Sequence, residues 1–124
     1  MARRYRAIDH TGIGVADVVR SAAFYDAALG VLGLRRVMQL PENEGTDGVG
    51  YGVDCPVFWI DRFHPHGARQ HTAFAAKSRA EVDAFYLAAI KAGGIDHGRP
   101  GLRHAAKGYP AGYYARVCSG SGWE

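Results

Sequence analysis

The sequence predicts an α+β fold made of two tandem βαβββ units. The main observation is an internal repeat, because short segments of the first half return 61 residues later. The repeated residues are His10-Thr11 and His71-Thr72, Ala23-Phe24-Tyr25 and Ala84-Phe85-Tyr86, Ala27-Ala28 and Ala88-Ala89, and Gly33 and Gly94. A strand pattern, an amphipathic helix and further strand patterns follow one another in each half. We therefore expect one domain over residues 1–124, with unit one at about 6–63 and unit two at about 69–124.

The first unit has the pattern of a strand, a helix and three more strands. A first strand is predicted over Arg6–Val15, and Asp17 is a candidate N-cap for a helix over Val18–Leu29. The apolar residues of that helix recur at the spacing of one buried face, and Gly30 and Gly33 are expected to end it. The remaining predicted strands are Leu34–Leu40, Gly48–Val53 and Val57–Phe63, with a polar loop at Pro41–Asp47.

The second unit follows a linker at Phe63–Arg69, and its first strand is predicted over Gln70–Lys77. Ser78 and Glu81 form a capping box, which predicts a helix that runs to about Ala92 before Gly93-Gly94. Two further strands are expected at Gly98–Leu102 and Tyr113–Cys118. The sequence shows no recognisable final strand for this unit.

Composition and charge exclude several classes of protein. With 48% hydrophobic residues, 22% charged residues and a net charge of +3, the chain is typical of a globular protein. The arginines at positions 3, 4 and 6 are typical of a solvated terminus, so we expect no nucleic-acid binding. No apolar run is long enough for a membrane span, and no signal peptide is recognisable. Cys55 and Cys118 form neither a metal-spaced pair nor a disulfide framework. We therefore expect a cytoplasmic protein with reduced thiols.

The repeat, the order of the elements and the segment from His71 to Tyr86 together resemble the vicinal oxygen chelate superfamily. Its members include glyoxalase I, extradiol dioxygenases, and the fosfomycin- and bleomycin-resistance proteins. The resemblance covers about residues 7–117. It implies a concave mixed sheet around a divalent metal, with the helices outside. It also implies a homodimer, because relatives close their sites by pairing units, and an exposed sheet edge would otherwise remain.

The resemblance implies metal ligands at His10 and His71, which occupy equivalent first-strand positions. Imidazole suits zinc, iron, nickel or manganese; the competing interpretation is that both histidines merely line a pocket. Glyoxalase-like relatives carry a glutamate near the position of Trp59. Asp61 lies on the same strand face two residues further on, where we favour a surface position at the strand end. Two neutral imidazoles without a carboxylate bind a divalent ion weakly, so we expect weak or absent metal binding.

The C-terminal segment departs from the superfamily pattern. Relatives continue from two aromatic residues and alanine into a strand, the sequence Asp-Pro-Asp-Gly and a final strand with a ligand glutamate. Here Tyr113-Tyr114-Ala115 is followed by residues 116–124 of different character. Codons that encode 116–124 can, when shifted by one base, encode Val-Phe-Val-Arg-Asp-Pro-Asp-Gly. A frameshift that altered the final strand is therefore a hypothesis, under which Glu124 would not be the superfamily's ligand.

The predicted function is that of a glyoxalase- or dioxygenase-like protein acting on an unidentified small molecule at a divalent-metal site. Tyr51, Trp59, Arg99 and Tyr113 are candidate residues of the substrate pocket, with ordinary strand packing as the alternative. Two other functions stay open. One is metal-free binding of a small molecule, as in antibiotic sequestration by bleomycin-resistance proteins, and the other is an inactive paralogue. Fold alone does not decide among these chemistries, and the sequence identifies no catalytic base.

Overall fold

The computed structural model describes residues 7–67, 70–96, 101–102, 114–115 and 118–119. Two helices and eight strands lie in this part of the chain, and the α+β class is confirmed. The elements of the first unit are β1 (Thr11–Gly14), α1 (Val18–Val31), β2 (Arg35–Leu40), β3 (Gly48–Gly52) and β4 (Pro56–Asp61). Those that follow are α2 (Arg79–Lys91), β5 (Ile95–Asp96), β6 (Gly101–Leu102), β7 (Tyr114–Ala115) and β8 (Cys118–Ser119).

The first unit forms a four-stranded mixed sheet in the order β1-β4-β3-β2. β1 runs parallel to β4, whereas β3 is antiparallel to both β4 and β2. A parallel neighbour requires a crossover connection, and here the crossover includes α1, β2 and β3. The strand that begins the unit is thereby paired with the strand that ends it.

One face of this sheet forms the hydrophobic core with the helices. Alternate residues of the two central strands point to that face and are almost fully buried, among them Val49, Phe58 and Ile60. The ring of Tyr25 on α1 lies 5.3 Å from the ring of Phe58. Ala89 of α2 is fully buried in the same cluster, so both helices contribute to one core.

Both helices begin at the predicted caps. Asp17 accepts a hydrogen bond from the backbone N–H of Arg20, at 3.0 Å, and Ser78 accepts one from that of Glu81, at 3.1 Å. The Glu81 carboxylate bonds the N–H of Lys77, one residue before the position that the capping box predicts. This bond ties the residue before the N-cap to the first turn of α2.

The end of α1 differs from the prediction, because Gly30 lies inside the helix and Gly33 alone provides the turn. Gly33 has φ +81°, its N–H bonds the carbonyl of Gly30, and the N–H of Leu34 bonds that of Leu29. These two bonds form a Schellman motif. The same motif ends α2 at Gly93, where φ is +102°.

The described strands of the second unit have two residues each. The strand predicted over Gln70–Lys77 is wrong, since residues 70–77 form no strand in the structure. β5 pairs with β8 and β6 with β7, and both pairs are antiparallel. β6 and β7 lie within the predicted strands Gly98–Leu102 and Tyr113–Cys118, β8 overlaps the second of these at Cys118, and β5 lies wholly before the first. Residues 97–100 lie outside the described part.

Within the described residues, neither helix is long and apolar enough to cross a membrane.

The two glycines at the end of α1 offer a matched test of backbone conformation. A Cβ added at either Gly30 or Gly33 meets no atom within 4 Å, so only the backbone distinguishes them. Gly30→Ala should raise the free energy of unfolding by about 0.5–1 kcal/mol, because it removes a helical glycine. Gly33→Ala should lower it by about 1 kcal/mol, because alanine is strained at positive φ. Thermal and urea unfolding of both variants checks this, and changes of the same sign would contradict it.

Candidate functional site

The sheet face opposite α1 carries two rows of aligned residues that cross all four strands. The strand register places Gly12, Trp59, Gly50 and Met38 in one row. Gly14, Asp61, Gly48 and Leu40 form the next row. We call the surface formed by these eight residues the open face. Met38 and Leu40 are 48% and 42% exposed, so large apolar side chains on this face meet solvent.

Trp59 lies at the centre of the open face, and its neighbours on both adjacent strands are glycines. A Cβ on Gly50 would lie 2.9 Å from Cε2 and Cζ2 of the indole, which is too close for any real contact. A Cβ on Gly12 would lie 2.9 Å from Cβ of Trp59. The missing side chain of Gly50 therefore lets the indole pack against β3 while it stays half-buried, and that of Gly12 lets β1 approach the backbone of Trp59 closely.

Asp61 is held by the turn that follows β4. Its Oδ1 accepts hydrogen bonds from the backbone N–H groups of Phe63 and His64, each at 3.1 Å. The Nδ1 of His64 lies 2.9 Å from both carboxylate oxygens. This turn also packs closely on β1, because a Cβ on Gly14 would collide with the carbonyl oxygen of His64. The side chain of Asp61 is thus 16% exposed, and its oxygens already have partners in the turn.

His10 and His71, the predicted metal ligands, are both exposed. Nδ1 of His10 lies 2.8 Å from the Asp9 carboxylate, which leaves Nε2 as the nitrogen available to a ligand. His71 belongs to the exposed set of alternating residues in its segment, whereas Phe74 packs towards the core. Among the described residues, no group of three or more His, Cys, Asp or Glu side chains could hold a metal ion. A metal role for this histidine pair stays a prediction.

Tyr51 lies on the other face of the sheet. It is 0% exposed, and its hydroxyl lies 2.9 Å from Oδ1 of Asp26 and 3.1 Å from the carbonyl oxygen of Ala22. Burial, together with the nearby Asp26 carboxylate, raises the pKa of the Tyr51 phenol. Arg36 binds Asp26 through two hydrogen bonds of 2.8 and 2.7 Å, which completes a network between α1, β2 and β3. Tyr51 is therefore a core residue, and its phenol does not line the open face.

Three other predicted site residues, Arg99, Tyr113 and Glu124, lie outside the described residues. Sequence reasoning missed Met38, Leu40 and the glycines of the open face. A usable signal was present, since glycine occurs at alternate positions 48, 50 and 52 within one predicted strand. Glycine inside a strand often marks a place where another group approaches the backbone closely.

A family model described as the Glyoxalase/Bleomycin resistance protein/Dioxygenase superfamily matches residues 7–111. No curated protein matches the sequence significantly.

Two solved structures are similar over nearly the whole chain. A glyoxalase/bleomycin resistance protein from Albidiferax ferrireducens T118 has 28% sequence identity and a TM-score of 0.73, with 96% of this chain and 93% of that chain covered. A hypothetical protein from S. aureus has 15% identity and a TM-score of 0.61, with 96% and 89% covered. The second likeness concerns the fold alone.

The position of the indole can be tested through Gly50. In a Trp123→Phe background, Trp59 is the only remaining tryptophan. There, Gly50→Ala should displace the indole, increase its quenching by acrylamide and lower the free energy of unfolding by about 1–3 kcal/mol. The control is Gly67→Ala, because a Cβ at Gly67 meets no atom within 4 Å and should change neither property. Equal quenching in the two variants would contradict the packing described above.

Proposed function

Because the chain belongs to the glyoxalase/bleomycin resistance protein/dioxygenase superfamily, we propose that it binds a small molecule with a planar apolar group on the open face. Trp59 is the contact residue in this proposal. The observation that supports it is the row Gly12-Trp59-Gly50-Met38, in which the missing side chain of Gly50 leaves room for the indole and Met38 on the next strand is exposed. Metal-free binding, one of the functions open from the sequence, is thereby favoured.

The chemistry of the open face suits a planar apolar ligand. An indole ring gives a large, rigid apolar surface, and stacked aromatic pairs contribute about 0.5–1.5 kcal/mol beyond the burial of area. Met38 adapts its shape to different ligands because its side chain is unbranched. These side chains can bind a ring by contact alone, without a bond to a metal.

The donor set of the described residues does not fit a complete metal centre. Trp59 stands near the strand position where glyoxalase-like relatives carry a glutamate, and an indole provides no ligand atom for a divalent ion. Asp61, the nearest carboxylate on the same strand face, already accepts hydrogen bonds from its own turn. We therefore derive no step that passes through a metal, and metal-dependent lyase or dioxygenase activity stays a prediction from the sequence.

Fluorescence titration in the Trp123→Phe background tests the proposal. Naphthalene-2-carboxylate should quench Trp59, while cyclohexanecarboxylate, which has the same charge and no planar ring, should bind more weakly. Trp59→Ala, followed by calorimetry, should lower the affinity for the naphthalene compound at least roughly threefold, because the stacked ring is lost.

Tyr51→Phe is the matched control for that titration, because Tyr51 lies on the core face of the same sheet. It should lower the free energy of unfolding by about 1 kcal/mol through lost hydrogen bonds, and leave the affinity unchanged. The proposal fails if the two carboxylates bind equally well, if neither binds at millimolar concentration, or if Trp59→Ala binds as tightly as the parent protein.

Metal titration separates this proposal from the metal-dependent alternative. One observation favours that alternative, because the Asp9 carboxylate orients His10 so that its Nε2 is available to a metal. Protein without a histidine tag should bind Zn²⁺ weakly and lose it on dialysis against a chelator, because imidazoles alone do not cancel the charge of the ion. Stoichiometric zinc that survives dialysis would contradict metal-free binding. If His10→Ala and His71→Ala then each removed it to a similar degree, the two histidines would share one site.

A further inference from the structure

The two units of the repeat differ in the strand that pairs with their first strand. In unit one, β1 is paired with β4 in parallel. At the repeat offset of 61, β1 corresponds to residues 72–75 and β4 to residues 117–122. Of the latter, Cys118–Ser119 forms β8, which pairs antiparallel with β5 as β3 pairs with β2 in unit one. By its pairing, β8 therefore takes the place of β3 and not that of β4. Within the described part of the chain, the place beside 72–75 that β4 takes in unit one therefore holds no strand.

The segment 70–77 nevertheless has the side-chain arrangement of a strand. Its residues alternate between half-buried at even positions and exposed at odd positions. Phe74 packs edge-on against Phe58 of β4, with 4.9 Å between ring centroids, and Ala76 also contacts the core. Between residues 71 and 76 no backbone–backbone hydrogen bond to another described residue is present. The contacts of its side chains thus hold this segment in place, and among the described residues its backbone groups have no backbone partner.

The inner face of α2 is less covered than that of α1. Phe24, Tyr25 and Leu29 are 4%, 6% and 0% exposed. Their repeat counterparts Phe85, Tyr86 and Ile90 are only half-buried. In unit one, Phe58 of β4 is one of the side chains that cover this face, through its contact with Tyr25. The counterpart of that strand is what the second unit lacks among the described residues.

A buried polar atom lies at the start of the same segment. Oε1 of Gln70 is buried and has no hydrogen-bond partner among the described residues, although Nε2 of the same side chain donates to the carbonyl oxygen of Pro65 at 2.9 Å. A buried acceptor without a partner costs free energy, so a donor from an added backbone would stabilise it.

We infer that residues 71–76 accept an extended peptide segment from another chain, which pairs with them in parallel as β4 pairs with β1. The chemistry of β4 defines the occupant: six residues with large apolar side chains at two alternate positions, as at Phe58 and Ile60, directed towards α2. Backbone hydrogen bonds would provide the affinity and the two apolar side chains the specificity, as in other cases of strand addition. This interaction is separate from ligand binding on the open face.

Hydrogen exchange of the full-length protein with a synthetic peptide tests the inference. The probe is the capped hexapeptide Pro-Val-Phe-Trp-Ile-Asp, which has the sequence of β4. It should slow exchange of amides within residues 71–76 by at least roughly tenfold and leave the edge strand β2 unchanged. The control peptide Pro-Val-Ser-Trp-Ser-Asp keeps the length and the charge but lacks the two core-facing side chains, and it should give no protection.

Two variants locate the site on the protein. Phe74→Ala removes the contact with Phe58 that holds the segment, and should weaken peptide binding at least roughly fivefold. Leu87→Ala changes a residue of α2 that is 67% exposed, and should have no effect. Protection of 71–76 in the protein without peptide, lost on dilution as a dimer dissociates, would show that a second copy supplies the strand.

Other results would overturn the inference. These are equal protection by both peptides, protection confined to β1 or β2, no protection at millimolar peptide, and full protection of 71–76 in monomeric protein without peptide. Since the parent protein and the two peptides suffice for these readouts, a variant that fails to fold does not prevent a decision. None of them depends on Trp59, so failure of ligand binding on the open face would leave this test intact.

Discussion

The parallel pairing of β1 with β4 is the interaction on which the rest of the structure depends. It joins the first strand of the unit to the last, so the chain from α1 to β3 forms a long loop that this pairing closes. Such a non-local contact is costly in loop-closure entropy and is stabilised by the burial that accompanies it. On β4 itself, Phe58 and Ile60 face the helices, while Trp59 and Asp61 face the other way. One register thereby determines which residues form the core and which form the open face.

Local chemistry made most of the first unit predictable. The caps at Asp17 and Ser78 are chemical signals within a few residues of the helix that they begin, and both are confirmed. The error at the end of α1 has a local cause as well: two glycines stood close together, and only the hydrogen-bond geometry shows that Gly33 adopts the positive φ. The Gly33 and Gly94 match in the repeat is likewise not a structural equivalence, because Gly93 is the residue that ends α2.

Tertiary partners were not predictable from the same signals. Residues 70–77 show the alternation of a strand, and their burial follows it, yet they form no ladder in the structure. The alternation of apolar and polar residues indicates which side chains are buried. A strand also needs hydrogen bonds to a neighbouring backbone, and that neighbour is distant in sequence. Tyr51 illustrates a related limit. An aromatic residue in a strand next to glycines is compatible with a pocket. The alternation of side chains along β3 instead directs Tyr51 into the core, where its hydroxyl donates a hydrogen bond to Asp26.

The alternation of side chains along β4 also explains how function can change while the fold is kept. Core packing depends on residues 58 and 60, whose side chains are buried, so a substitution at 59 alters the open face with little effect on the core. Near that position, glyoxalase-like relatives carry a carboxylate that can bind a metal, and this chain carries an indole. The indole in turn requires glycine at Gly50, because a Cβ there would collide with the ring, whereas Gly12 makes room for the backbone carbonyl and Cβ of residue 59. Trp59 and Gly50 therefore depend on each other, and one fold can present different chemistry at this strand position.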